Sequence, residues 1–214
     1  MSAQPKADVK ITPKADGPYV VENLEYLGSR RGSIETKATM ALCRCGGSAN
    51  KPFCDGTHAR AGFSSAKLEG RVPDRREDYP GDGITIHDNR GICAHAGHCT
   101  DGLPSVFRHR QEPWIVPTGA PPDEIVAAAR RCPSGALTYS ATGGTTQAGG
   151  GGDPAVFVAP NGPYLVTGSP DLLDTTWGAG APADRFTLCR CGGSRNKPFC
   201  DGTHWSNGFV DDKN

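Results

Sequence analysis

Two stretches of sixteen residues decide the fold of this chain: CRCGGSANKPFCDGTH at Cys43–His58 and CRCGGSRNKPFCDGTH at Cys189–His204. They differ at a single position, where Ala49 in the first copy corresponds to Arg195 in the second. Fifteen identities with every cysteine and histidine kept exclude a chance repeat. The chain therefore contains one module twice, with a different segment between the copies. We call these stretches the first block and the second block.

Each block is preceded by a strand–turn–strand pattern. The sequence DGPYVV from Asp16 recurs as NGPYLV from Asn161, and strand-forming apolar residues flank both turns. An Asx-Gly turn between such runs predicts a β-hairpin in which the glycine takes the positive φ. Both modules are therefore expected to be β-rich, with a cysteine-bearing loop after the hairpin.

The composition limits how such a chain is stabilised. Of 214 residues, 29 are glycine, 18 are proline and nine are cysteine. A loop-rich chain needs disulfides or metal, and an odd number of cysteines fits a closed set of disulfides poorly. Residues 1–12 contain no apolar signal sequence, and no apolar run is long enough for a bilayer. We therefore expect a cytoplasmic protein without a membrane partner, in which clustered cysteines bind metal.

The charge balance excludes other classes of protein. Lys plus Arg and Asp plus Glu both number 23, so the chain lacks the basic excess of a nucleic-acid-binding protein. The sequence contains no Gly-rich nucleotide loop, no nucleophile motif and no paired carboxylates. We therefore expect a protein that is not an enzyme and that takes part in catalysis only through a partner.

Each block offers metal-ligating side chains as two pairs. In an extended chain Cys43 and Cys45 point to the same side, and Cys54 and His58 would share a face of a helical turn. Asp55 would begin that turn, whose dipole would stabilise the Cys54 thiolate. Three cysteines and one histidine are thus available in each block: Cys43, Cys45, Cys54 and His58 in the first, and Cys189, Cys191, Cys200 and His204 in the second.

The pattern C-x-C-x2-S-x3-P-x-C-D-G-T-H resembles the CDGSH iron–sulfur domain of the mitoNEET type. The resemblance implies that the three cysteines and one histidine of each block bind one [2Fe–2S] cluster. It also implies two small β-cap-like modules that pack as a pseudo-dimer, here within one chain. Structural zinc is the alternative, because three cysteines and one histidine also suit a tetrahedral Zn²⁺ ion.

The segment between the modules carries the other three cysteines. Cys93, Cys99 and Cys132, which is followed by proline, resemble the bacterial ferredoxin run with Ala96 in place of the central cysteine. The resemblance to a divergent single-cluster ferredoxin domain implies a [3Fe–4S] or a [4Fe–4S] cluster. The candidate fourth ligands are His95 and His98, for which a surface loop position is the alternative.

The overall prediction is an α+β fold with two β-rich CDGSH modules and a small α+β ferredoxin-like domain. The predicted domains are 1–78 for the first CDGSH module, 79–141 for the ferredoxin-like domain, 142–153 for a Gly-rich linker and 154–214 for the second CDGSH module. Within the ferredoxin-like domain we expect strands at 84–86 and 136–139 and a helix at 123–131. His87 and His109 lack ligand spacing and are expected to face solvent.

Three clusters on one chain predict electron transfer with a redox partner protein. A histidine ligand makes a cluster less negative than an all-cysteine one and raises its reduction potential. Because imidazole takes up a proton near neutral pH, the same ligand favours a labile cluster. The alternative is therefore a carrier that delivers clusters to an apo-acceptor protein, or a redox or pH sensor.

Apart from the pairing of its two modules, the chain is expected to be a monomer. Arg44 and Arg190, between ligands, would screen cluster charge, face a partner or lie in solvent.

Overall fold

A computed structural model describes residues 8–141, 144, 152–178 and 180–214. The described strands form three small sheets, which are accompanied by short helices. The strands are β1 (Lys10–Pro13), β2 (Tyr19–Glu22), β3 (Tyr26–Ser29), β4 (Gly32–Ile34), β5 (Thr39–Leu42), β6 (Glu77–Pro80), β7 (Ile84–Asp88), β8 (Leu137–Ala141), β9 (Ala155–Val158), β10 (Tyr164–Thr167), β11 (Asp171–Leu172) and β12 (Arg185–Leu188). The helices are α1 (Thr57–Arg60), α2 (His98–Gly102) and α3 (Pro122–Arg130). A β-rich α+β fold was predicted and is confirmed. Most of the predicted linker at 142–153 lies outside the described residues.

Both modules begin with the predicted hairpin. Strand β2 pairs antiparallel with β1 and β5, and strand β10 pairs in the same way with β9 and β12. The positive φ of each turn falls on the Asx residue, at 47° for Asp16 and 48° for Asn161, and not on the glycine that follows. That detail of the prediction was wrong, because Asp and Asn also tolerate the left-handed region.

The two modules exchange strands. The first sheet has the order β11-β1-β2-β5, so its edge strand comes from the second module. The second sheet has the order β12-β10-β9-β3-β4, so two of its strands come from the first module. Both exchanged pairs are parallel, with Lys10 opposite Asp171 and Tyr26 opposite Ala155. The hairpin pattern did not predict this exchange, because the partners are far apart in the sequence.

Two buried tyrosines lie where the modules meet. The rings of Tyr19 and Tyr164 have no solvent exposure and pack edge to face with centroids 6.1 Å apart. The hydroxyl of Tyr19 donates to the carbonyl oxygen of Cys189 at 2.9 Å, and that of Tyr164 donates to Cys43 at 2.9 Å. Each tyrosine is therefore held by the cysteine loop of the other module.

The segment between the modules folds around the third sheet, whose order is β6-β7-β8. Strands β7 and β8 and helix α3 lie where the sequence predicted them, with ends that differ by one or two residues. Helix α3 begins with proline and two acidic residues and ends with Arg130, which suits its dipole. Its buried face packs on β8. In the described part of the chain no helix has the length and apolar character that crossing a bilayer requires.

His87 was predicted to face solvent and is instead 2% exposed. Its Nδ1 lies 2.8 Å from a carboxylate oxygen of Asp78, and its Nε2 lies 3.0 Å from the hydroxyl of Ser140. The prediction failed because a lack of ligand spacing says nothing about burial between strands. His109 is exposed, as predicted.

Candidate metal centres

The first cysteine pair of each block begins directly after a strand, which is β5 in the first module and β12 in the second. The Sγ atoms of Cys43 and Cys45 are 3.9 Å apart, and those of Cys189 and Cys191 are 3.8 Å apart. The short distances arise because the chain is extended here, so that residues i and i+2 share a side. Two sulfurs at this separation suit a single iron ion as joint ligands.

The arginine between the two cysteines is buried in both blocks. Arg190 is 1% exposed, forms an ion pair with Asp211 and donates to the carbonyl oxygen of Gly162 at 2.8 Å. Arg44 is 4% exposed and donates to the carbonyl oxygen of Lys14 at 3.1 Å. These buried side chains therefore hold the loop through backbone carbonyl oxygens and are not solvated.

The second pair in each block joins a cysteine to a histidine. The Sγ of Cys54 lies 3.3 Å from Nδ1 of His58, and the Sγ of Cys200 lies 3.4 Å from Nδ1 of His204. Nδ1 is therefore the ring nitrogen that faces the sulfur in both blocks. The four donors of each block stand together as two pairs.

The turn that holds this second pair differs from the predicted one. Helix α1 begins at Thr57, so Cys54 precedes the helix and does not share a helical face with His58. The carboxylate of Asp55 instead accepts hydrogen bonds from the N–H groups of Thr57 at 3.0 Å and of Ala49 at 2.8 Å. Hydrogen bonds from Thr57 and Ala49 hold the pKa of Asp55 well below its usual range. The ionised Asp55 therefore fixes the two halves of the block against each other.

Backbone N–H groups point at four of the ligand sulfurs. Each donor nitrogen is 3.4 Å from its sulfur, in the pairs Gly47–Cys45, Gly56–Cys54, Gly193–Cys191 and Gly202–Cys200. Such bonds stabilise thiolates, and in iron–sulfur proteins they raise the reduction potential. The glycines allow this approach because Gly56 and Gly202 adopt positive φ values of 84° and 82°.

Burial and hydrogen bonding shift the pKa values of several cysteines and of one histidine in the two blocks. Burial raises the pKa of Cys43 to about 11 and that of Cys200 to about 12. A hydrogen bond between Cys189 and Cys191 raises the pKa of Cys189 and lowers that of Cys191 to about 6. Burial also lowers the pKa of His204, which favours the neutral imidazole that ligates metal. Because metal binds the thiolate, cluster binding to the cysteines whose pKa is raised releases protons.

The cysteines of the middle segment line one cavity of about 890 Å³. Cys93, Cys99 and Cys132 are all on its wall, together with the two candidate fourth ligands, His95 and His98. Burial, followed by the nearby Cys132, raises the pKa of Cys93 to about 12 and also raises that of Cys99. We call this cavity the middle site.

Two charged residues of the middle site were not predicted. Asp88 is 3% exposed, and one carboxylate oxygen lies 3.3 Å from Nε of Arg90. The other oxygen has no hydrogen-bond partner among the described residues, and burial raises the pKa of Asp88 to about 6. The guanidinium of Arg90 lies 3.6 Å from the ring centre of Trp114. No sequence signal marks Asp88, which merely ends strand β7.

Among the described residues, no three His, Cys, Asp or Glu side chains converge as they would around one metal ion. The donors of each block lie in pairs, and the three middle cysteines line the wall of one cavity.

Comparison with known proteins identifies the class of this chain. Residues 16–59 and 161–205 match the family model described as an iron-binding zinc finger of the CDGSH type. Residues 79–142 match the model of a divergent 4Fe-4S mono-cluster domain. The uncharacterized protein YjdI of Escherichia coli K12 is 38% identical over 61 residues, which are 28% of this chain and 80% of YjdI. The protein of the same name from Escherichia coli O157:H7 matches equally well.

The chain belongs to the CDGSH family and carries a divergent 4Fe–4S mono-cluster domain between its two CDGSH regions. It is therefore an iron–sulfur protein, as the two resemblances found in its sequence implied.

Proposed function

We propose that this chain is an electron-transfer protein with three clusters. Each block would hold one [2Fe–2S] cluster, through Cys43, Cys45, Cys54 and His58 in the first and Cys189, Cys191, Cys200 and His204 in the second. Cys93, Cys99 and Cys132 would hold a [3Fe–4S] cluster, or a [4Fe–4S] cluster with His95 or His98 as the fourth ligand. The proposed units are 1–78 and 79–141, followed by the linker at 142–153 and the unit at 154–214.

The observation that carries the proposal is the grouping of donors in pairs. A two-iron cluster takes two protein ligands on each iron, whereas a structural zinc ion takes all four on one. The first block has a cysteine pair at 3.9 Å and a cysteine–histidine pair at 3.3 Å, and no three donors converge on one ion among the described residues, which favours one pair on each of two irons. The second block repeats both distances within 0.1 Å, at 3.8 Å and 3.4 Å.

The surroundings of the ligands support reversible one-electron chemistry. One neutral imidazole in place of a thiolate makes the cluster one unit less negative, so it accepts an electron more easily. The N–H groups of Gly47 and Gly56, each 3.4 Å from a ligand sulfur, act in the same direction. The first block should therefore have a higher potential than an all-cysteine ferredoxin centre.

We further propose that the two CDGSH modules form a pseudo-dimer inside one chain. The support is the reciprocal strand exchange and the reciprocal hydrogen bonds of Tyr19 and Tyr164. The chain would otherwise be a monomer, located in the cytoplasm, with a redox protein as partner, no nucleic-acid or membrane partner and no catalytic activity of its own.

A second candidate function is supported by the exposure of the first block. Cys54 and His58 are only partly buried, so a cluster there would be accessible to an apo-acceptor protein. Net transfer of iron and sulfide to an acceptor would define a carrier, and a reversible response to pH or redox state would define a sensor.

One experiment separates these functions. The anaerobically purified holoprotein is cycled between a low-potential reductant and a mild oxidant, with iron and sulfide measured after each cycle. Electron transfer predicts full spectral reversal without loss of iron. Release of clusters to an added apo-ferredoxin in preference to redox cycling would favour the carrier. A colourless preparation that contains zinc would refute both.

A further inference from the structure

The two CDGSH sites have the same ligands and different surroundings. Cys200 and His204 of the second block are 2% and 7% exposed. The equivalent Cys54 and His58 of the first block are only partly buried. Because the blocks share fifteen of sixteen residues, the difference must come from what packs against them.

Part of the cover is the segment 67–74, which leads from the first module to the middle domain. Nε of Arg71 donates to the side-chain oxygen of Asn196 at 3.0 Å. The amide nitrogen of Asn196 donates to the carbonyl oxygen of Gly91, in the middle domain, at 2.5 Å. Asn196 is therefore 2% exposed, while Asn50 at the same position of the first block is exposed.

The single residue that distinguishes the blocks takes part in this cover. The guanidinium of Arg195 donates to the carbonyl oxygen of Glu69 at 3.1 Å. The backbone carbonyl of Arg195 accepts a hydrogen bond from the N–H of Leu68 at 2.9 Å. Ala49 has no side chain that could make the first of these contacts. The one difference in sequence thus helps to fix the segment 67–74 over the second block.

A second difference lies just beyond the blocks. The ring of Trp205 packs on the ring of His204 with centroids 4.9 Å apart, and Trp205 is itself 70% exposed. The residue that follows His58 in the first block is Ala59. One side of His204 is therefore shielded by an indole ring, and the same side of His58 is not.

The second block also adjoins the middle site. A Cβ atom placed on Gly202 would lie 2.9 Å from a ring carbon of His95, so the two residues are in direct contact. His95 is on the wall of the middle site.

The two CDGSH sites meet through their ligand loops. A Cβ atom on Gly46 would lie 2.8 Å from the carbonyl oxygen of Cys191, and one on Gly192 would lie 2.5 Å from that of Cys45. Only residues without a side chain allow this approach. The contacts thus run from the middle site to the second block and from there to the first.

We propose that the two CDGSH sites have different roles, with the second exchanging electrons inside the molecule and the first meeting the external partner. The second site would exchange with the middle site across the contact of His95 with Gly202. The first site, which lacks the cover, would exchange with a one-electron donor or acceptor protein. Each exchange oxidises one centre by one electron and reduces its neighbour by one, so electrons balance. This inference rests on the proposed function.

The test uses electron paramagnetic resonance on the reduced holoprotein. Variants His58→Cys and His204→Cys assign the two [2Fe–2S] signals, because each shifts one of them. A chelated gadolinium ion in solution then speeds the spin relaxation of exposed centres. We expect a several-fold stronger effect on the first signal than on the second. An equal effect, or a stronger effect on the second signal, would overturn the assignment of roles.

A matched pair of variants tests the cover itself. Arg195→Ala makes the second block identical to the first. Ala49→Arg is the reverse change, at a position whose carbonyl oxygen accepts a hydrogen bond from Nζ of Lys213 at 2.7 Å. Loss of the bond to Glu69 should raise the accessibility of the second signal to gadolinium by roughly two- to tenfold, the effect of one hydrogen bond. Ala49→Arg should leave the first signal accessible. No response to Arg195→Ala, with equal access to both sites in the parent protein, would refute the proposed cover.

The contact with the middle site has its own readout. When the middle cluster changes oxidation state in a redox titration, the relaxation of the second signal should change and that of the first should change less. A larger change in the first signal would contradict the proposed order of sites. A protein without any [2Fe–2S] signal would instead refute the proposed function, which is a different result.

Discussion

Replacing Tyr164 with phenylalanine should weaken the contact between the two CDGSH modules while keeping the packing of the ring. The hydroxyl lies 2.9 Å from the carbonyl oxygen of Cys43 and 3.0 Å from that of Pro52, and the side chain is fully buried. The change removes one donor and leaves buried carbonyl oxygens short of a partner, which costs about 1–3 kcal/mol of unfolding free energy. For a chain of this length the expected fall in Tm is roughly 2–12 °C.

The assay is thermal unfolding followed by circular dichroism, at fixed cluster loading and protein concentration. Tyr19→Phe should have a similar effect, because its hydroxyl makes the reciprocal contact with Cys189 at 2.9 Å. Tyr26→Phe is the control, since Tyr26 is 49% exposed and its change should cost less than about 0.5 kcal/mol. A Tyr164→Phe protein that unfolds at the parent temperature, or no earlier than the control, would refute this description of the contact.

Three further predictions follow from the buried charges and the ligands. Asp211→Ala leaves Arg190 buried without its ion-pair partner and should cost about 3–5 kcal/mol at neutral pH. Burial raises the pKa of Asp211, but the hydrogen bonds that its carboxylate accepts lower the pKa overall. The difference in unfolding free energy between the parent and the variant should therefore shrink as pH falls through the carboxyl range. A difference that does not change with pH would contradict the prediction. The pKa of Asp88 is raised from 3.8 to about 6, so its ionisation costs stability as pH rises through this window. Denaturant titrations should show Asp88→Asn gaining up to about 3 kcal/mol over the parent at pH about 8 and little at pH about 4. His58→Cys and His204→Cys should each lower the potential of one cluster, and unchanged potentials in a redox titration would contradict the ligand assignment.

The features that the sequence predicted correctly are local ones. The cysteine pair at 43 and 45 follows from the two-residue repeat of an extended chain, and its sulfurs are 3.9 Å apart. Helix α3 was predicted from its flanking prolines and its terminal charges, and it spans Pro122–Arg130. In both cases the information lies within a few residues of the element that it specifies.

The features that the sequence did not predict depend on distant contacts. Strand β3 pairs with β9 of the other module, and the residues Tyr26–Ser29 contain no local pattern that predicts this pairing. His87 is buried because strands β6 and β8 supply Asp78 and Ser140 on either side of it. The helical face proposed for Cys54 failed because the carboxylate of Asp55 closes a tighter turn before the helix begins.

The claim on which the account depends is that a histidine completes the ligand set of a two-iron cluster in each block. Pulsed electron paramagnetic resonance of the reduced holoprotein, labelled with ¹⁵N on histidine, measures this directly. The account predicts a strongly coupled ¹⁵N nucleus on both [2Fe–2S] signals, lost from one signal in His58→Cys and from the other in His204→Cys. Signals without a coupled histidine nitrogen, or a protein that holds zinc in place of iron and sulfide, would contradict it.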